Sequence, residues 1–300
     1  MAAETELTQS WIEHQAKLES LAQLQLFFVG GAPRSGTTWL QYLLDSHPDV
    51  CCRGEGLFMK TLADPLDKLM MQHRRELEEK NKVVFRHSDG YPLPRPEETD
   101  YLLGTAVLLA LERQCTETDY RAIGEKTPEN VFFFPRLKRL FPNAKFICIV
   151  RDPRDLLASA WHYFHESKTS GDASAAKTTF LRNALPGINA GSHAILELTE
   201  QYQSDCIVVT YEHLVEATAT VAAELFRFLG VSDSDDIVAE AIARTSFASL
   251  TSGRSAGTIE EGSFFRKGVV GGWQSTFAPE MNQMILKELG WSFATFGWEE

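Results

Sequence analysis

The chain has 300 residues, 44% hydrophobic and 23% charged, an ordinary globular composition without low-complexity tracts. A formal net charge of −12 argues against nucleic acid or a polyanionic glycan as the main partner and favours a small neutral or cationic molecule. Five scattered cysteines give neither a disulfide framework nor zinc spacing, and the eight histidines add no metal pattern.

In chain order, residues 5–24 place Leu7, Trp11, Leu18 and Leu21 in rough helical phase, which predicts an amphipathic helix. This segment has no basic start and no apolar core, so it reads as neither a signal peptide nor an anchor. No later run reaches the roughly 18 apolar residues of a membrane span, and a soluble, cytoplasmic protein without a membrane partner is expected. The apolar run 26–31 predicts a strand, followed by a helix from Thr37 to about Asp45 that His47-Pro48 stops. Cys51 and Cys52 read as buried strand-end thiols. Residues 60–82 look helical and charged, 86–100 loop-like around Pro92, Pro94 and Pro96, and about 100–114 helical again. Thr169 to Lys177, rich in small polar residues, is the candidate mobile loop.

Three further short apolar runs lead to Glu125-Lys126, Arg151 and Tyr211. Such runs alternating with helices predict an α/β fold, a parallel sheet flanked by helices on both faces. Ligands of these sheets sit beyond the carboxyl ends of the strands, where all three of these sites fall. The residues of interest run from about 30 to 270, so a single domain over 1–300 is expected, with an acceptor-side insertion at about 57–115.

The most informative stretch is LFFVGGAPRSGTTWL, residues 26–40. A strand feeding a Gly-rich turn and a helix N-terminus builds an anion cradle, because free backbone N–H groups and the helix dipole face the ligand. Gly31 and Gly36 fit the ATPase loop spacing, but Thr37 stands where that loop has lysine, and the cation is Arg34. A loop that grips phosphate without that lysine suits a donor other than ATP.

With this loop, GEKTP (124–128), FICIVRDPRDLLASAWHYF (146–164), VVTYEHL (208–214) and SFFRKGVVGGW (263–273) follow in order, and together they resemble the sulfotransferases that use 3′-phosphoadenosine 5′-phosphosulfate (PAPS). The resemblance implies the P-loop-like sulfotransferase fold, PAPS as donor, PAP as product and no metal requirement. Arg34, Ser35, Gly36, Thr37 and Thr38 would hold the 5′-phosphosulfate. Arg151 and Ser159 would hold the 3′-phosphate, and Arg266, Lys267 and Gly268 would close over it. Trp39 and Phe247 match positions that stack on adenine, and Tyr211 matches a nucleotide-contacting tyrosine. Asp152 can cap the helix carrying Ser159, and Pro153 suits its first turn. Arg34 and Lys126 would clamp the sulfuryl group during in-line transfer to a hydroxyl or amine.

Cytosolic relatives place a catalytic histidine in a Lys-Thr-His-Leu-Pro stretch, where this chain reads Lys126-Thr127-Pro128. HPDVCCRGEG (47–56) instead resembles the segment in which tyrosylprotein and some bacterial sulfotransferases carry a glutamate base, and Glu55 is the match. The other role for Glu55 is an ion pair with Arg34 or Lys126. Glu125, His47, His162 and His165 are weaker base candidates, and Gln274 departs from the lysine common in relatives. Residues 57–115 and 165–195, with Phe58, Met59, Phe85 and Tyr91, are expected to wall the acceptor pocket. A phosphoryl transferase such as a nucleotide kinase, and a nucleotide-binding module without activity, stay open as alternatives. The acceptor itself and the oligomeric state are not specified by these motifs.

Overall fold

Continuous apolar runs become central strands here because both faces of the sheet are covered. In the computed structural model, which describes residues 2–115, 120–165, 172–251, 253–254, 257 and 270–299, five parallel strands pair in the order β2-β3-β1-β4-β5. They are β1 (Gln25–Gly31), β2 (Val50–Gly54), β3 (Ala122–Lys126), β4 (Lys145–Val150) and β5 (Cys206–Thr210). Along β1, Phe27 and Val29 enter one core with Leu40, Leu43 and Leu44, while Phe28 enters the other with Leu103, Phe134 and Phe146. Phe27 and Phe28 are both 0% exposed, and each contributes about 1.5–3 kcal/mol by leaving water. Gly124, opposite Phe27 in the ladder, makes room for that ring, because a Cβ there would overlap it.

Between the strands run α1 (Ala2–Ala22), α2 (Thr37–Asp45), α3 (Asp64–Val83), α4 (Pro96–Gln114), α5 (Phe134–Leu140), α6 (Pro153–Phe164) and α7 (Ala173–Gln201). After β5 come α8 (Tyr211–Glu216), α9 (Thr218–Leu229), α10 (Asp235–Thr245), α11 (Phe247–Leu250) and α12 (Pro279–Phe296). A third apolar cluster joins α6, α7 and α12 through Leu157, Leu181, Ile285 and Leu289.

Two elements differ from the sequence reading. α4 begins at Pro96, within the segment expected to be loop, with the proline in its first turn and Glu97 and Glu98 at its positive end. Of Thr169 to Lys177, expected to be mobile, residues 169–171 lie outside the described residues and 173–177 are the first turns of α7. Asp172 caps that helix by accepting from Ser174 N and Ala175 N, at 2.8 and 3.3 Å. The composition that suggested a loop is equally that of a capped, alanine-rich helix start.

Candidate active site

Five consecutive strand ends deliver the candidate residues along one edge of the sheet. In sheet order they are Glu55 just past β2, Lys126 ending β3, the 32–36 loop after β1, Arg151 after β4 and Tyr211 after β5. The register enforces this line: Gly54 and Val29 both lie opposite Lys126, and Val150 lies opposite Thr210.

The loop turns through two left-handed residues, Arg34 at φ 76° and Gly36 at φ 105°. A Cβ on Gly36 would lie 2.6 Å from the Tyr211 ring, and one on Gly31 would overlap the Ile149 carbonyl. Both glycines let the backbone pass where side chains already stand. The N-cap residue of α2 is Gly36, which has no side chain with which to cap the helix. Ser35 is fully buried, and its Oγ has no hydrogen-bond partner among the described residues. An uncapped helix start beside an orphaned buried hydroxyl fits an anionic group of the donor.

On one side of this cradle, Lys126 Nζ donates to Glu55 Oε1 at 2.6 Å and to Thr38 Oγ1 at 3.3 Å. The Lys126 side chain is 4% exposed and that of Glu55 43%. Gly54 is what lets the lysine through, since a Cβ there would come within 2.9 Å of Lys126 Cε. Glu125 does not share this contact. Its carboxylate accepts from Gly56 N, Thr127 Oγ1 and Asn130 Nδ2, and burial pushes its pKa up. His47 is likewise occupied, between Ser232 O and Asp49 N.

On the other side, Arg34 Nε donates to Ser159 Oγ at 3.3 Å, and its guanidinium lies 4.4 Å from the centre of the Tyr163 ring. Arg151 Nη1 donates to the Arg34 carbonyl at 3.2 Å, and its guanidinium lies 4.2 Å over Tyr211. Burial first, and then the like charge of Arg151, lower the pKa of Arg34. Two guanidiniums held this close favour an anion between them. Tyr211, its pKa raised by burial, meets Trp39 edge-on at 5.9 Å. Trp39 Nε1 donates to Thr245 O at 3.0 Å, two residues before the half-buried Phe247, over which Arg254 lies at 5.2 Å. The structure thus sets Arg34 with Ser159 and Arg151, and Lys126 with Glu55 and Thr38. Arg266, Lys267 and Gly268 lie outside the described residues.

Sequence reasoning missed several supports. Asp155, buried on α6, accepts from Gly271 N at 2.6 Å and Trp273 N at 2.9 Å, which fixes the chain at residues 271–273 against α6. Asp152 caps α6 as expected, accepting from Arg154 N at 2.8 Å. Of the proposed pocket walls, Met59 is core, Phe58 packs against that core, and Phe85 and Tyr91 are exposed. Leu181, Leu185 and Ile195 of α7 are core as well. Among the described residues no cluster of three or more His, Cys, Asp or Glu could hold a metal ion.

Glu212 braces the Arg151 turn, accepting from Asp152 N at 3.1 Å and Trp298 Nε1 at 2.9 Å, and burial raises its pKa above the ordinary 4.5. A raised folded-state value contributes stability that is fully present below the unfolded value and is lost as pH climbs through the folded one. Glu212→Gln should therefore lie furthest below wild type in Tm at pH below the ordinary value of 4.5, with the gap narrowing by about 1–3 °C toward neutrality. A gap constant with pH would contradict this.

The sulfotransferase family model matches residues 27–235. In sequence the chain is 26% identical over 214 residues to a putative protein-tyrosine sulfotransferase of Caenorhabditis briggsae, covering 71% of this chain and 68% of that one. It is 27% identical over 221 residues to protein-tyrosine sulfotransferase 2 of Gallus gallus, covering 72% and 54%. The chain thus spans about half the length of that vertebrate relative. In fold it matches a mouse sulfotransferase solved with PAP at TM-score 0.56 and 20% identity, over 91% of this chain and 89% of that one. The sulfotransferase domain of a Synechococcus olefin synthase matches at TM-score 0.52 and 20% identity, over 92% and 95%. These matches correct the expected cytoplasmic location, because the protein-tyrosine sulfotransferases are Golgi-resident type II membrane enzymes. Among the described residues, no helix is long and apolar enough to cross a membrane. On this fold and this match, the chain belongs to the sulfotransferase family, enzymes that take their sulfuryl group from PAPS.

Proposed function

We propose that the protein transfers the sulfuryl group of PAPS to an acceptor hydroxyl, with Glu55 as general base and Lys126 and Arg34 as the charge clamps. One observation carries this reading. A buried lysine brings a partly exposed carboxylate and a loop hydroxyl to one point, with Glu55 at 2.6 Å and Thr38 at 3.3 Å, at the mouth of the anion cradle. Bound PAPS supplies an activated sulfuryl group, so that an acceptor oxygen–sulfur bond forms as the sulfur–oxygen bond to the 5′-phosphate breaks.

The chain's own residues do the rest. Ser35, Gly36, Thr37 and Thr38 hold the phosphosulfate by backbone N–H groups and hydroxyls. Lys126 offsets the negative charge that grows on the transferring and departing oxygens, while Arg34 supplies charge from the Ser159 side. Glu55 remains reachable from solvent while Lys126 orients it, and its carboxylate takes the acceptor's proton. Arg151 and Ser159 hold the 3′-phosphate, with Arg266, Lys267 and Gly268 closing over it. Trp39, Tyr211 and Phe247 flank the adenine end.

The relatives named for protein tyrosine make a phenolic hydroxyl the first acceptor to test, on a free phenol or a tyrosine peptide. With PAPS and matched phenols, alcohols and amines, the expected products are sulfate esters and an equal amount of PAP, at rates unchanged by EDTA. Sulfated amines without any ester would overturn the base assignment, and no product from any acceptor would favour a binding module.

A further inference from the structure

We propose that Glu125, which touches neither acceptor nor donor, is a positioning residue that holds the turn after β2 so that Glu55 meets Lys126. This rests on Glu55 being the base. Successive strand residues face opposite sides of a sheet. Lys126 therefore reaches Glu55 from one side, while Glu125, 2% exposed, grips the same turn from the other.

Its contacts define the task. Glu125 Oε1 accepts from Gly56 N at 2.7 Å and from the Thr127 hydroxyl, and Oε2 accepts from Asn130 Nδ2 at 3.0 Å. Asn130 Nδ2 also donates to Val29 O at 3.2 Å, and Thr127 Oγ1 accepts from Leu57 N at 3.2 Å. One carboxylate thereby ties the end of β1, the end of β3 and the Glu55 turn into a single hydrogen-bonded unit. From the α2 side, Gln41 and Asp45 hold the backbone of Cys52, and Asp45 Oδ2 also accepts from Arg53 Nη1 at 2.9 Å, both contacts lying before Gly54. Past Gly54, the backbone N–H groups of the turn are held by Glu125 at Gly56 and by Thr127 at Leu57.

The chemistry requires a carboxylate. Three donors converge on two acceptor oxygens, whereas an amide has one acceptor oxygen and would set its NH₂ against a donor. Glu125→Gln keeps size and shape while breaking one end of the tie.

The test is a double-mutant cycle in the full chain, with PAPS and an acceptor that the wild type sulfates. Glu125→Gln should lower kcat about 10–100-fold with PAP affinity within about twofold, a split that general misfolding would not produce. In the Glu55→Gln background the same change should alter kcat less than about twofold, because its effect passes through Glu55. If Glu125→Gln folds and keeps kcat within about threefold, or its loss multiplies in full onto Glu55→Gln, the positioning role is overturned. If Glu55→Gln alone keeps kcat within about threefold, the base reading fails first, a separate outcome. Should Glu125→Gln not fold, Thr127→Val carries the same cycle with an expected loss of about 3–10-fold, and additivity there overturns the proposal equally.

Discussion

Glu55→Gln is expected to lower kcat about 10²–10⁴-fold while leaving PAP affinity within about twofold of wild type. The amide oxygen can still accept from Lys126 Nζ, which sits 2.6 Å from Glu55 Oε1 in the wild type, so the buried lysine keeps a partner and its own positive charge stays at the cradle. What disappears is the capacity to take a proton in the transition state. The effect should fall on kcat and on kcat/KM alike, because a base that acts only during transfer does not hold the donor. Steady-state rates with the best hydroxyl acceptor, alongside PAP titration, separate these terms. A loss below about threefold would remove Glu55 as base and leave it as an ion-pair partner of Lys126.

Arg151→Ala carries the largest expected effect on binding. PAP affinity should weaken about 30–1,000-fold, equivalent to about 2–4 kcal/mol for a charge-assisted, bidentate contact. The guanidinium is already oriented, lying 4.2 Å over the Tyr211 ring with Nη1 on the Arg34 carbonyl, so little rotamer freedom is left to lose on binding. Adenosine 5′-monophosphate, which lacks the 3′-phosphate, should bind wild type and variant nearly alike. Titrating both nucleotides isolates the 3′-phosphate contribution, and unchanged PAP affinity in the variant would remove Arg151 from that role.

Much of this site was legible because its signals are local. A strand, a turn with Gly31 and Gly36 and a helix start lie within residues 26–40, and the runs ending at Arg151 and Tyr211 mark strand ends by hydrophobicity alone. Strand β2 was legible only through Cys51 and Cys52. Five residues, VCCRG, become an edge strand by pairing with β3, from Val50 opposite Ala122 to Gly54 opposite Lys126, and no local propensity reports that pairing. The start of α7 was misread because its small residues hid the capping role of Asp172. The tie made by Glu125 could not be read at all, since it exists only once residues 29, 56, 125 and 130 meet. Glu125 and Lys126 are neighbours in the sequence, but strand alternation sends the two side chains to opposite faces, so only Lys126 reaches Glu55.

The central claim, that this row of strand ends is a PAPS site, is tested most directly by a thermal shift with PAP against ATP, each with magnesium and with EDTA. PAP at about 100 times its Kd should stabilise the fold by about 2.7 kcal/mol, a rise of a few degrees, equally in EDTA and with ATP much weaker. A shift that appears with ATP, requires magnesium and is absent with PAP would contradict the account and make the loop a phosphoryl-transfer site.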